Sequence, residues 1–465
     1  MTLAQIVKTY DVRGLVGSQI TPEATRALGA GFADLVAPSG AHEIAIGFDM
    51  RDSSPELAAA CAEGIRDRGL NVRWLGLCST DESYWASGTF SVPAIMFTAS
   101  HNPASYNGMK FSRAGAQGVS LDTGLAEVRD TAARYLEQGV PVAEQRGTLQ
   151  EHDVLRDYAQ TLRKLVPLAD ARPLKIVVDA ANGMGGLTVP AVLQNAAGLP
   201  ALPFEIVPMY FELDGTFPNH EANPLDPKNL VDLQAAVLEH GADLGLAFDG
   251  DADRCFVIDE RGEAVSPSAI AAIVAVREIA RVQAAGEQDI VVLHNLITSR
   301  AVPEAIEAAG ATAVRTRVGH SLIKDKMAET GAVFGGEHSA HYYFRDFWGA
   351  DNGMLAALHV LAELSARGVA MSALAERFSP YFSSGEINST VDDVPQAFTR
   401  IVEAFVSRGE FDEMDGLMLT AHDGSWWVSV RPSNTEPLLR LNVEAETPER
   451  MAQIRDEALA LIRND

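Results

Sequence analysis

Cysteine is scarce. The 465 residues carry three, Cys61, Cys78 and Cys255, and no C-x-x-C pair. An odd count without that spacing argues against a disulfide framework and a cysteine-built zinc site, and a reducing cytosol is the simplest compartment. Basic residues are also in short supply: 37 Lys+Arg face 63 Asp+Glu, a net charge of −26. Such a surface repels nucleic acid and anionic membranes, so neither is expected as a partner. An anionic small molecule would need a locally basic pocket set against that field. No clean apolar run, such as 269–276, approaches the ~20 residues of a transmembrane helix. The first residues, MTLAQIVKTYDVRG, have no basic stretch followed by an apolar core, so no signal peptide is expected. Low-complexity segments are missing too. These absences describe a soluble cytoplasmic protein.

What is present is ordinary for a globular chain: 47% hydrophobic and 22% charged residues. At roughly 150 residues per domain the length predicts about three domains. Short β-branched runs alternate with longer helical patterns. EIAIGF, LKIVVDA, DLGLAF, DIVVLH and AVFGG read as strands, the first followed by a helical stretch over 55–69. That alternation predicts α/β domains with largely parallel sheets. In 154–166, Val154, Leu155, Tyr158, Leu162, Leu165 and Val166 fall on one helical face. This amphipathic helix follows the polar segment EQRGTLQEHD and places a boundary near 150. Further boundaries fall after the acidic stretch at 249–259 and near FSPYFSSG at 378–385, giving segments 1–150, 151–258, 259–375 and 376–465. In the last segment SWWVSV and LLRLNVEAE read as neighbouring strands, and Thr447-Pro448 opens a final helix, an α+β pattern. A coarse unit of strand, polar loop and helix recurs three times without evident sequence similarity.

Four polar loops carry candidate chemistry, three of them directly after a predicted strand, where open α/β sheets bind ligands. FTASHNP (97–103) sets Ser100 beside His101, with Lys110 downstream in YNGMK. No G-x-S-x-G elbow is present, but a loop serine can carry a phosphoryl group when cations and a base surround it; the plain alternative is a polar turn. DGDADR (249–254) packs Asp249, Asp251 and Asp253 at alternate positions. Such carboxylate density is costly without a cation, and hard oxygen donors suit Mg²⁺ or Ca²⁺. An EF-hand is rejected because Arg254 stands where that loop demands glycine. GGEHSAH (335–341) alternates Glu337, Ser339 and His341, so an extended loop would point all three one way, as donors and acceptors for sugar hydroxyls. A zinc site from His338 and His341 lacks further ligands. RPSNTEP (431–437) offers the planar fork of Arg431 with Ser433, Asn434 and Thr435, the composition of a phosphate cradle. NGMGG (182–186) reads as a structural turn before a helix, and Arg13 sits in the loop YDVRG. Serine, carboxylate trio, hydroxyl-reading loop and phosphate cradle together point to metal-assisted phosphoryl transfer on a sugar phosphate.

YDVRG, TASHNP with YNGMK, DGDADR, GGEHSAH and RPSNTEP stand in the order seen in the α-D-phosphohexomutases, and the chain resembles that family over essentially its whole length. FPNHEANPLDP (217–227) is similar to the family's loop ahead of the metal segment, and the loop of Glu337, Ser339 and His341 resembles the phosphomannomutase/phosphoglucomutase branch. The resemblance implies three related α/β domains with mixed sheets plus a smaller C-terminal α+β domain, around a central cleft. It implies an isomerase, with Ser100 as phosphoserine and Ser100, Asp249, Asp251 and Asp253 around Mg²⁺. Lys110, Arg13 and His101 would serve proton transfer and phosphoryl stabilisation. Arg431, Ser433, Asn434 and Thr435 would hold the non-reacting phosphate, with Tyr10, Arg254 and His320 as cleft contacts. The implied substrates are mannose or glucose 1- and 6-phosphates, with a hexose 1,6-bisphosphate as intermediate and activator, acting in a monomer or weak homo-oligomer. The competing readings are a phosphoglucosamine mutase, a serine-nucleophile phosphomonoester hydrolase, and a non-catalytic binding protein. Three departures stand out: Ala340 where the family often has glycine, STDES (79–83) in place of a Ser/Thr-Thr-Pro turn, and no lysine near His294-Asn295.

Overall fold

The computed structural model describes residues 3–391, 393–432 and 438–463, with all their side chains except those of His320 and Ser321. Its strands form four sheets. In the first, Glu43–Phe48 runs parallel to Asn71–Leu77 on one side and Ala94–Phe97 on the other. Ala94–Phe97 then turns back into antiparallel Tyr106–Arg113. The second sheet repeats this plan. Leu174–Asp179 lies between Phe204–Met209 and Leu244–Phe248, and Leu244–Phe248 turns into antiparallel Cys255–Asp259. The third repeats it again, with Val291–Asn295 between Thr312–Thr316 and Phe334–Gly336, and Phe334–Gly336 turning into Tyr342–Phe344. The sheets are therefore mixed, because each parallel trio ends in one antiparallel hairpin.

The central strands are apolar along their length since helices cover both faces; Leu244–Phe248 and Cys255–Asp259 are buried at every position. Helices start where the sequence supplies caps. Thr21 accepts from the Ala24 amide, Asn352 from the Leu355 amide, and Pro267 stands at the start of Pro267–Ala284. STDES does not form a turn. It opens the helix Thr80–Phe90 through a capping box, Ser79 accepting from the Glu82 amide and Glu82 reaching back to the Ser79 amide. The expected amphipathic helix appears as Leu155–Leu165, with Tyr158 and Leu162 buried, and NGMGG leads into Gly185–Leu193. The second and third sheets share one continuous core that includes Val177, Phe248, Val292 and Phe334.

The fourth sheet is antiparallel, Trp426–Pro432 pairing with Leu417–Ala421 and Leu438–Ala445, and has a core of its own. It docks on the third. Glu444 accepts from the Arg300 amide at 3.0 Å, and the Tyr381 hydroxyl donates to Glu304 at 2.8 Å with the Arg300 guanidinium over its ring. The pattern-breaking segment 378–385 is thus no slack linker: Phe382–Ser383 is a strand of the fourth sheet. Cys61, Cys78 and Cys255 are unpaired and buried, which pushes their thiols up. No helix among the described residues is long and apolar enough to cross a membrane.

Candidate active site

The shared plan positions the site. In each of the first three sheets the loop from the last parallel strand to its antiparallel partner carries one predicted motif: 98–105 holds Ser100, 249–254 the aspartates, 337–341 the Glu337 turn. Each loop also holds one non-glycine residue in the left-handed region, Ser100 at φ 48°, Ala252 at 62° and Ala340 at 66°. Such a conformation costs an alanine or serine about 1 kcal/mol or more, so the surroundings must enforce it.

The first two loops meet. The Ser100 hydroxyl donates to Asp249 Oδ2 at 2.9 Å. Arg254 grips the same carboxylate through Nε at 2.9 Å and Nη2 at 2.7 Å, and its Nη2 also lies 3.4 Å from Ser100 Oγ and 2.7 Å from His101 Nδ1. A guanidinium can only donate, so His101 Nδ1 accepts. Burial, then Arg254 and Arg13, push the His101 imidazole well below its ordinary range and keep it neutral. Burial raises the Asp249 carboxyl to about 7 against the pull of Arg254, with Asp253 and Asp251 adding to the rise. Burial would raise Asp251 too, but Lys110 and the Thr80 hydroxyl hold it below the usual range. Lys110 spans Asp251 and Asp253 at 2.7 and 2.6 Å; burial opposes its charge, and the two carboxylates overcome that and keep it protonated.

Oxygens of Asp249, Asp251 and Asp253 lie within 4.8 Å of one another, all three residues buried. Among the described residues Asp251 Oδ1 and Asp253 Oδ1 have no hydrogen-bond partner. Unpartnered hard oxygens in one buried cluster fit a Mg²⁺ ion. Arg13 braces the serine loop by donating to the Ala99 carbonyl at 3.1 Å and to Asn102 Oδ1 at 2.6 Å.

The third loop corrects an expectation. Residues 337–341 are not extended: the Ala340 amide donates to the Glu337 carbonyl and the Glu337 amide to the His341 carbonyl, a tight turn. Alternation therefore does not align the three side chains, yet the turn gathers them. Ser339 Oγ is 3.0 Å from His341 Nδ1, which is 3.6 Å from Glu337 Oε2. Glu337 is itself buried and held by the Tyr343 hydroxyl at 2.7 Å and Asn295 Nδ2 at 3.1 Å. Asn295 thus fills part of the edge where lysine is missing. His341, Asp253 and Asp351 also come within 4.8 Å, so this loop adjoins the carboxylate trio. His338 turns elsewhere, to Ser268 Oγ at 2.9 Å, and takes no part in a zinc site with His341.

Tyr10 borders the start of helix His320–Thr330: a Cβ on Gly319 would lie 3.0 Å from its hydroxyl. The His320 side chain lies outside the described residues, as do Ser433, Asn434 and Thr435. Among the described residues no hydrogen bond or ion pair joins Arg431 to Ser100. Arg431 stands one residue before the end of the strand Trp426–Pro432, between Asp415 and Glu386, each at 3.5 Å. Asp415 also accepts from the Val318 amide at 3.2 Å, which ties Arg431 toward the third sheet. Several buried groups escaped the sequence reading: Thr80 on Asp251 at 2.6 Å, Tyr343 on Glu337, Lys324 on Asp351 at 2.7 Å, and Arg51 beneath the serine loop. Only Arg51 had a legible signal, since FDMRDSS follows its strand as DGDADR follows another.

The four domain models of phosphoglucomutase/phosphomannomutase match in order: α/β/α domain I at 4–137, domain II at 156–262, domain III at 266–381 and the C-terminal domain at 386–461. The chain belongs to the phosphoglucomutase/phosphomannomutase family. It is 38% identical to the phosphohexose mutases of Xanthomonas campestris over 457 residues, 97% of this chain and 98% of that one. It is 35% identical to the phosphomannomutase of Escherichia coli K12 over 98% of both chains. A crystal structure of a phosphoglucomutase/phosphomannomutase family protein from Burkholderia thailandensis superposes with a TM-score of 0.86 at 29% identity, covering 99% of this chain and 98% of that one. The protein is accordingly an isomerase of the mutase class, acting by phosphoryl transfer on hexose phosphates.

Proposed function

We propose that this mutase interconverts the 1- and 6-phosphates of mannose, with glucose as a second sugar, through a phosphoserine at Ser100 and a hexose 1,6-bisphosphate. One observation carries the reading: the Ser100 hydroxyl, in a left-handed loop, sits 2.9 Å from Asp249 and within reach of Arg254, beside a buried carboxylate trio. A hydrolase needs no remote phosphate cradle, and Arg431 in a separate sheet favours a substrate held at both ends.

Asp249, Asp251, Asp253 and Ser100 would hold Mg²⁺, which when bound offsets charge on the serine oxygen as the phosphoryl group leaves. Arg254 adds a donor on that oxygen and fixes Asp249. Lys110, kept protonated, supplies positive charge to the phosphoryl group and can donate a proton rather than accept one. His101 stays neutral and locks the rotamer of Arg254. Glu337, Ser339 and His341 receive the sugar hydroxyls, and His341, within 4.8 Å of Asp253, takes the proton of the attacking hydroxyl. Arg431, with Ser433, Asn434 and Thr435, binds the phosphate that does not react. The bisphosphate turns round and its other phosphoryl group returns to Ser100, so the Arg431 grip must release and re-form.

The test compares turnover of mannose 1-phosphate and glucose 1-phosphate with catalytic bisphosphate present, alongside mass spectrometry of the resting enzyme. Both sugars should turn over and one phosphate should map to Ser100, while Ser100→Ala should be folded and inactive. Wild-type activity in Ser100→Ala would overturn the nucleophile assignment. Preferential turnover of glucosamine 1-phosphate would move the substrate reading to the amino sugar.

A further inference from the structure

Arg51 is 2% exposed and follows the strand Glu43–Phe48 in the first sheet. Burying a guanidinium is costly unless its donors are satisfied, and here both terminal nitrogens are spent on the serine loop and the first residue of the strand after it. Nη2 donates to the Ser100 carbonyl at 2.9 Å and the Asn102 carbonyl at 2.7 Å. Nη1 donates to the Pro103 carbonyl at 2.9 Å and the Tyr106 carbonyl at 3.0 Å. Nε faces Asp49 at 3.3 Å, and Asp49 is fixed in turn by the Ser54 hydroxyl at 2.6 Å. Its remaining face meets the second domain: the guanidinium lies 5.0 Å from the Phe217 ring, and a Cβ on Gly215 would come within 2.6 Å of the Arg51 Cα.

We propose that Arg51 is a positioning residue for phosphoryl transfer, resting on the role of Ser100 proposed above. Four carbonyls converging on one cation turn the loop backbone inward and hold Ser100 at its left-handed φ, which aims Oγ at Asp249. Without that cation the loop relaxes toward ordinary backbone angles, and Oγ moves off the carboxylates. Among the described residues Arg51 makes no hydrogen bond or ion pair to the sugar loop or to Arg431, so its loss acts on the chemical step and leaves substrate affinity alone. The Phe217 contact makes the second domain a witness to this geometry, since the loop ahead of the aspartates packs on the residue that sets the serine.

The experiment measures kcat and KM for mannose 1-phosphate in Arg51→Lys, normalised to folded protein by near-ultraviolet circular dichroism. Lysine keeps a charge beside Asp49 but cannot reach four carbonyls. A displacement of order 1 Å lowers kcat by about 10²-fold, and KM should stay within about twofold. In Arg51→Ala, millimolar guanidinium ion should restore part of kcat, which a merely destabilised fold would not do. A wild-type kcat in Arg51→Lys, or a loss carried by KM alone, overturns the proposal. If neither variant folds, Arg51→Gln carries the test: its single amide nitrogen can serve at most two of the four carbonyls. A several-fold drop in kcat at constant KM supports the proposal and an unchanged kcat sinks it. Inactive Ser100→Ala together with fully active Arg51→Lys would defeat this inference and leave the phosphoserine reading standing.

Discussion

Gly88, on the helix Thr80–Phe90, is where the first and third domains press together. A Cβ there would lie 2.1 Å from Trp348 Cδ2 and 2.3 Å from Cε2, inside the indole. Trp348 remains 36% exposed, so the ring has room to swing into solvent rather than strain the helix. Expelling it would uncover on the order of 150 Å² of apolar surface, about 4 kcal/mol at ~25 cal/mol per Å², as a ceiling. Against this, alanine is favoured over glycine in a helix by up to about 1 kcal/mol. Gly88→Ala should therefore destabilise by about 1–3 kcal/mol, read as a fall of a few degrees in the first unfolding transition. The decisive comparison is the same change in a Trp348→Ala background. With the ring gone only helix propensity remains, so Gly88→Ala should become neutral or stabilising. An effect of the same sign and size in both backgrounds would refute the packing argument. Because this helix begins at Thr80 on Asp251, the single variant should also lower turnover.

Asp251→Asn removes one charge from the trio at nearly constant shape, and should cut turnover by about 10²-fold or more and raise the Mg²⁺ needed for half-maximal activity; wild-type enzyme indifferent to chelators would count against the metal site. Arg431→Ala should raise KM for hexose phosphates about 10- to 150-fold, from the loss of a charged hydrogen bond worth ~1.5–3 kcal/mol, and should increase phosphate release per turnover; unchanged values for both would remove Arg431 from the cradle. His359 is buried against the Phe344 ring, and burial lowers its imidazole to about 3 from an ordinary 6.5. Its contribution is complete above about pH 6.5 and is lost as pH falls toward 3, because the unfolded chain takes up the proton first. The gap in melting temperature between wild type and His359→Gln should accordingly narrow between pH 7.5 and 5.5, by up to about 1.4 kcal/mol per pH unit in stability; a constant gap would contradict the assignment.

The serine, aspartate and sugar loops were legible because each interrupts an apolar strand with several polar residues at once. A solvated face or a ligand is the usual reason for that, and three recurrences pointed to repeated α/β units. The identity of the plan in all three sheets was not legible, since it resides in pairing order rather than in residues. Single buried partners were invisible for a related reason. Thr80 reaches an aspartate 171 positions away, and Tyr343 gives no hint in YYF that its hydroxyl ends on Glu337. Alternation misled at 337–341 because period two holds only for extended backbone, and Ala340 at φ 66° turns the chain. The charge on Lys110 is likewise set by carboxylates more than 140 residues on, at distances that only the fold supplies.

The three thiols have a practical consequence. Cys61, Cys78 and Cys255 lie in the interior with their thiolate forms suppressed, so the native chain offers a maleimide almost nothing to react with. A cysteine introduced at exposed Glu56 in the first domain and another at exposed Glu413 in the fourth would stand alone as attachment points. A donor and an acceptor dye placed there would report, molecule by molecule, whether the fourth domain swings as a sugar bisphosphate changes ends, without first stripping the protein of its own sulfur.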